Sequence, residues 1–267
     1  MPLSSRVFVI VPAWQEAPRI ERVVRGLPPW VHRVIVVDDA STDGTREAAL
    51  AAGDARVEVA RHDANRGVGA AIVTGYRRAL ADRGSSRDAF VVMAGDGQMD
   101  PADLPAVVAP IAAGGVDYVK GDRFRGAGAA RSMPLGRRVG GRVFSWATGL
   151  AIGVPISDSQ CGYTAIARAA CARLDLAGLW PRYGYPNDLL AQLAARRLRI
   201  AEVPVRAVYA DEISRLKPRH VPVVAGLIAR AAARRIADRL SGRAGGPVAE
   251  GPVEDRGDVG EGVVEIE

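Results

Sequence analysis

The sequence predicts an α/β protein built on a doubly wound, mostly parallel sheet. Short apolar runs alternate with stretches of helical apolar spacing through the first half of the chain. The runs are too uniformly apolar for strands with one wet face, so they belong in a sheet covered on both sides. Successive runs end in polar loops bearing Asp or Glu, at the edge where an open α/β sheet takes its ligand.

Taken in order, residues 6–11 form the first strand, which ends in Pro12-Ala13-Trp14-Gln15-Glu16. A helix follows, with Ile20, Val23, Val24 and Leu27 on one face. Residues 34–37 form the second strand, and Asp38-Asp39-Ala40-Ser41-Thr42-Asp43-Gly44 hands over to a helix at 45–52. Residues 57–60 are the third strand, with Asn65-Arg66-Gly67-Val68-Gly69 leading into a helix that reaches Leu80.

The fourth strand, residues 90–93, is the centre of the pattern. It stops at Gly95, and Asp100-Pro101 opens a helix: Asp100 suits the N-cap, Pro101 the first helical position, and Asp103 the helix dipole. Between them stand Asp96, flanked by Gly95 and Gly97, and the amide of Gln98. A carboxylate and an amide oxygen at a strand end suit a hard divalent cation that also grips phosphate. An ordinary turn uses Asp and Gly in the same way, so this loop alone does not separate the two readings.

The second half departs from the rhythm. Residues 116–120 predict a short strand leading to Gly121-Asp122-Arg123-Phe124, and 125–131 a mobile Gly/Ala/Arg-rich segment. A helix over 134–150 is expected to be interrupted at Gly140-Gly141. A strand is expected within 156–167, a helix at 187–197 and a final strand at 200–209. A helix at 222–240 sets Ala225, Ile228, Ala232 and Ile236 against Arg230 and Arg234. These boundaries divide the chain into a main domain at 1–220, an amphipathic helix at 221–240 and a disordered tail of Gly, Pro and acidic residues at 241–267.

Hydrophobic content of 48% and charged content of 25% are those of a globular protein with a substantial core. No apolar run reaches the roughly 18 residues of a membrane-spanning helix, and no signal-peptide core precedes the first strand, which predicts a cytoplasmic location. The net charge of +6 rests on arginine, with Lys120 and Lys217 the only lysines. Because no nucleic-acid module accompanies that charge, the expected partners are phosphorylated substrates or anionic lipid, with no nucleic acid. Cys161 and Cys171 lack metal-site spacing and are expected to be reduced and buried.

The loops at 11–16, 36–45, 65–67 and 96–101, in that order at strand ends, resemble those of the family-2 inverting glycosyltransferases, which have the GT-A fold and use nucleotide-sugar donors. Within that family the chain is similar to dolichyl-phosphate mannose synthase and bacterial polyprenyl-phosphate glycosyltransferases, over about residues 6–217. The resemblance implies that Pro12, Ala13, Glu16, Val37, Asp39 and Gly95 line the nucleotide pocket, with Asp39 on the base or ribose. It further implies that Asp96 and Gln98 bind Mg²⁺ or Mn²⁺ across the diphosphate, and that Arg123 neutralises phosphate. Asp188, in the Asn187-Asp188 pair, takes the position of the catalytic base, although an acid there also suits the first turn of a helix. Arg215, in Ser214-Arg215-Leu216, would reach the diphosphate, assisted by Arg206. The family's Asp-Ala-Asp triplet reads Ala94-Gly95-Asp96 here, so its first acid is missing.

The expected activity is therefore transfer of a sugar, with inversion, from a nucleotide sugar to an acceptor, a polyprenyl phosphate by resemblance. A small soluble acceptor and a non-catalytic nucleotide-sugar-binding protein are the alternatives. A sugar nucleotidyltransferase is disfavoured, because residues 12–16 lack its Gly-rich basic signature. Arg131, Arg137, Arg138 and Arg142 interleave with Met133, Leu135, Val139, Val143, Phe144 and Trp146, as at a bilayer interface on the inner face of the cell membrane. A buried amphipathic helix reads the same way.

Overall fold

The computed structural model describes residues 5–125, 135–206 and 220–241, without the side chains of Leu135, Arg137 and Asp238. Arg215, Arg131, Met133 and residues 242–267 lie outside the described residues.

The first half alternates as the sequence predicts: β1 (Val7–Ala13), α1 (Ala17–Arg25), β2 (Arg33–Asp38), α2 (Thr45–Ala51), β3 (Val57–Arg61), α3 (Val68–Ala81) and β4 (Ala89–Val92). A 3₁₀ turn at Pro101–Asp103 then leads into α4 (Leu104–Ala112). Asp100 caps the turn, its side chain accepting the Ala102 N–H. After β5 (Tyr118–Asp122) come α5 (Leu135–Ile152), β6 (Thr164–Ala167), α6 (Arg168–Cys171), α7 (Tyr185–Ala195), β7 (Ile200–Pro204) and α8 (Val221–Leu240).

The seven strands form one sheet in the order β3-β2-β1-β4-β6-β5-β7. It is parallel except for β6, which runs antiparallel to both β4 and β5. Two reversals restore direction, so β5 and β7 run parallel to β4. As a result the carboxyl ends of β1, β2, β4 and β5 and the segment entering β6 all meet at one edge.

β1 sits centrally and is buried throughout. Phe8 and Phe90 meet edge to face at 5.4 Å, and fully burying such a side chain contributes about 1.5–3 kcal/mol. α3 lies close on β1 because Gly75 faces Ile10: a Cβ at Gly75 would come within 2.2 Å of Ile10 Cγ2. The far edge of the sheet is closed by Arg168, which pairs with buried Asp88 at 3.2 Å and lies over the Phe90 ring at 5.0 Å.

Two expectations are corrected. α5 continues through Gly140 and Gly141, because packing against α7 and α8 outweighs a glycine cost of about 1 kcal/mol each. On α8 the buried stripe is Val224, Leu227 and Ala231, with the expected Ile228 and Ala232 half-buried beside it against the core, while Ala225 and Ile236 are exposed. The helix is rotated from the predicted face because its packing partners are α5 and α7 together.

Candidate active site

The converging loops enclose a cavity of about 1250 Å³ at the carboxyl edge of the sheet. Pro12, Ala13, Glu16, Asp39, Gly95, Asp96, Gln98 and Arg123 all line it, although they come from four different strand ends.

The loops after β1 and β2 are knitted by side chain to backbone bonds. Gln15, at φ +57°, donates its N–H to Ser41 Oγ, and its side-chain oxygen accepts the Thr42 N–H. Burial opposes ionisation of Asp43, yet the Thr45 hydroxyl and then the N–H groups of Ala17 and Thr45 donate to its carboxylate and hold its pKa below the usual range. Asp38 accepts the Ser41 N–H and is fully buried. The Asp38-to-Thr45 string thus builds the wall, and of the two acids only Asp39 faces the cavity.

Asp39 is 2% exposed and already well supplied with donors. Its Oδ1 accepts from His62 Nδ1 at 2.7 Å and the Arg66 N–H at 2.8 Å, and its Oδ2 accepts the Gly67 N–H at 2.7 Å. Glu16 is buried and its Oε2 accepts from Arg19 at 3.2 Å. Val37, expected in the nucleotide pocket, is instead fully buried in β2 opposite Pro12 and does not line the cavity. Side chains alternate along a strand, and its own points into the core.

In the loop after β4, Asp96 Oδ1 accepts the Gln98 N–H at 3.0 Å across Gly97, whose φ of +75° favours glycine. Ala94, which replaces the family's first acid, donates its N–H to Met99 Sδ. Asp96 and Gln98 offer hard oxygen donors to the same cavity. Among the described residues no group of three or more His, Cys, Asp or Glu could hold an ion unaided. The donor set therefore fits a Mg²⁺- or Mn²⁺-like ion that arrives with phosphate oxygens and water in its remaining positions.

Beneath the cavity lies a buried ionic cluster. Arg123 forks onto Asp158, with Nε 2.7 Å from Oδ2 and an NH2 contact of 2.9 Å to Oδ1. Burial opposes ionisation of Asp158, yet this fork holds its carboxyl below the ordinary range. Arg123, expected to act on phosphate, thus lines the cavity with its guanidinium committed to an internal carboxylate. Lys120 is fully buried, donates to the Cys161 carbonyl at 2.6 Å, and has its pKa lowered by desolvation. Cys161 and Cys171 are free and buried, and burial pushes both thiols up, which opposes formation of the reactive thiolate.

Asp188 departs furthest from expectation. It is 2% exposed and absent from the cavity lining: Oδ2 accepts the Trp180 N–H at 2.9 Å, and Oδ1 accepts from Arg230. A carboxylate so held ties α7 to α8 and to the 180–184 loop rather than presenting a base to the cavity. Arg206 is likewise committed, to Asp103 at 2.8 Å and Asp100 at 3.3 Å.

The far wall contains residues that the sequence reading did not single out. Trp180, Arg182, Tyr183 and His220 line the cavity, with the Tyr183 and His220 rings stacked at 4.5 Å. The aromatic run Trp180-Pro181-Arg182-Tyr183 was the available signal. Gly140, Gly141 and Phe144 of α5 and Phe124 supply an apolar side to the same space.

A mostly parallel sheet whose strand-end loops bring Asp39, Asp96 and Gln98 to one cavity is the GT-A architecture of a glycosyltransferase. The chain belongs to glycosyl transferase family 2, whose model matches residues 8–174. It is 32% identical over 212 residues to the undecaprenyl-phosphate mannosyltransferase of Micrococcus luteus, covering 76% of this chain and 84% of that one. It is 30% identical over 220 residues to the UDP-N-acetylglucosamine–dolichyl-phosphate N-acetylglucosaminyltransferase of Methanococcus voltae, covering 77% and 86%. Among solved structures, glucosyl-3-phosphoglycerate synthase from Mycobacterium tuberculosis in complex with Mn²⁺, UDP-glucose and phosphoglyceric acid superposes with a TM-score of 0.62. That pair is 25% identical, covering 85% of this chain and 80% of the other. The protein is an enzyme, a hexosyltransferase of this family.

Proposed function

We propose that the enzyme transfers one sugar, with inversion, from a nucleotide sugar to a polyprenyl phosphate at the cytoplasmic face of a membrane. The observation that carries this reading is the dual character of α5. Gly140, Gly141 and Phe144 line the cavity, while Val139, Val143, Trp146 and Leu150 on a neighbouring face are 55–67% exposed. Arg142 flanks that apolar stripe, as cations do beside anionic headgroups. A lipid whose tail lay along the stripe would carry its phosphate into the cavity. The relatives named for undecaprenyl-phosphate and dolichyl-phosphate acceptors support the same class. Among the described residues no helix is long and apolar enough to cross a membrane, so contact would be peripheral there.

In this reading the Pro12–Ala13 strand end and Asp39 seat the nucleoside. Asp96 and Gln98 would hold Mg²⁺ or Mn²⁺, which when bound would supply electrostatic stabilisation of the leaving group. An acceptor phosphate oxygen attacks the anomeric carbon in line as the nucleoside diphosphate departs. A phosphate is already ionised near neutral pH, so the reaction needs no general base, and the commitment of Asp188 to Trp180 and Arg230 is no obstacle.

The test pairs flotation on liposomes, with and without anionic lipid, with sugar transfer to a short-chain polyprenyl phosphate. Val143→Ser with Trp146→Ser should abolish flotation while keeping transfer to a water-dispersed acceptor. An active donor site with no flotation, and no transfer to any lipid phosphate, would overturn the lipid reading in favour of a small soluble acceptor.

A further inference from the structure

On the donor side of the cavity lies a buried histidine with no assigned role. His62, just beyond β3, is 6% exposed and bonded at both ring nitrogens: Nδ1 lies 2.7 Å from Asp39 Oδ1 and Nε2 2.9 Å from Thr74 Oγ1 of α3. Facing a carboxylate, Nδ1 carries the proton and donates, which leaves Nε2 to accept the Thr74 hydroxyl. The ring orientation is thus fixed from both sides.

The consequence for Asp39 follows from its acceptor inventory. A carboxylate offers about four lone-pair positions, two on each oxygen. On Oδ1 both are taken, by His62 Nδ1 and the Arg66 N–H. On Oδ2 one is taken, by the Gly67 N–H. A ligand therefore finds a carboxylate with room for one further donor, on Oδ2.

Nucleobases differ in the donors they present together on one edge. Guanine offers N1–H beside its 2-amino group and matches a carboxylate with both oxygens open. Uracil and thymine present a single N3–H between two carbonyls. Cytosine presents one 4-amino donor, but beside it stands a bare N3 acceptor, which the carboxylate repels.

Resting on the nucleotide-sugar reading above, we propose that His62, held by Thr74, saturates Asp39 Oδ1 and so selects a donor whose base is uracil or thymine, against guanine and cytosine. His62 acts through Asp39 and is a positioning residue. Discrimination of this kind arises because a rejected base must leave a buried polar group unpaired.

Calorimetric titration with UDP, GDP and CDP in the presence of Mn²⁺ tests this on the full chain. The parent should bind UDP at least about tenfold more tightly than GDP or CDP, equivalent to about 1.4 kcal/mol. His62→Leu removes the donor to Oδ1 and should bring UDP and GDP to within about threefold of each other. His62→Asn, whose amide N–H can stand in for Nδ1–H, should restore the preference, a rescue that a purely packing role would not give. Should His62→Leu fail to fold, Thr74→Val frees the ring at Nε2 and should narrow the same ratio. A parent that prefers GDP, or a folded His62→Leu with an unchanged UDP-to-GDP ratio, would overturn the proposal while leaving nucleotide binding intact. Binding of none of the three would instead remove the nucleotide-sugar reading and the proposal with it.

Discussion

Arg230 of α8 donates to Oδ1 of Asp188 in α7, while Oδ2 of the same carboxylate accepts the Trp180 N–H. Through one buried acid, the C-terminal helix is thereby tied to the loop that walls the cavity. Arg230→Met should leave Asp188 with an unpaired buried oxygen and cost about 1–3 kcal/mol of stability, read as a lower urea midpoint. Asp188→Asn should lose comparable stability yet keep kcat under conditions where it is folded. A collapse of kcat in a fully folded Asp188→Asn would return the residue to the role of base.

The wall at 180–182 is seated on the start of α3, where Ala70 donates its N–H to the Pro181 carbonyl at 3.0 Å. Gly69 permits this approach, since a Cβ there would lie 2.3 Å from the Trp180 carbonyl oxygen. Gly69→Ala must displace backbone, so it should destabilise by about 1–3 kcal/mol and raise the donor KM more than it lowers kcat. Unchanged KM and melting temperature would show that the loop gives way freely.

What the sequence revealed, and what it hid, follows from the range of the forces involved. The cores of β1, β2 and β4 were legible as continuous apolar runs, and their end loops as acid-bearing strings. The direction of β6 was not, because Thr164–Ala167 pairs antiparallel only through residues far off in the chain. The placement of Val37 failed for a subtler reason: in a strand buried on both faces, apolar residues do not say which side chain meets the ligand. The face of α8 depended on α5 and α7, which its own periodicity cannot name. Within the site, Asp39 and Asp96 were visible as strand-end acids. The partners that occupy them, or their neighbours, were not: His62 is a single residue without pattern, and Arg230 lies 42 positions from Asp188.

The Arg123–Asp158 fork predicts a pH signature. The folded pKa of Asp158 lies below its ordinary value of 3.8, so the unfolded chain binds the proton more readily. The stability this confers is fully present above about pH 4 and is lost as pH falls through the lower folded pKa. Asp158→Asn should be less stable than the parent by about 3–5 kcal/mol at neutral pH, the cost of breaking a buried pair. That gap should narrow on acidification below about pH 4. Urea midpoints collected for both proteins from neutral to strongly acidic pH decide it, and a gap independent of pH would mean that ionisation of Asp158 contributes nothing.

Asp96 carries the clearest test of the donor site. Its Oδ1 shapes the loop by accepting the Gln98 N–H, a bond that the Asn carbonyl can keep, so Asp96→Asn should fold normally. What it loses is the negative charge that a divalent ion needs in a site with few protein ligands. Binding of UDP to the parent should tighten on addition of Mn²⁺, and in Asp96→Asn that enhancement should vanish while metal-free binding is unchanged. Ala94→Asp, which restores the family's first acid, should change affinity only modestly, because the loop already closes through the Ala94 N–H and Met99 Sδ. If Asp96→Asn kept the full Mn²⁺ enhancement, the ion would have to sit elsewhere, and the assignment of Asp96 and Gln98 as its ligands would fall.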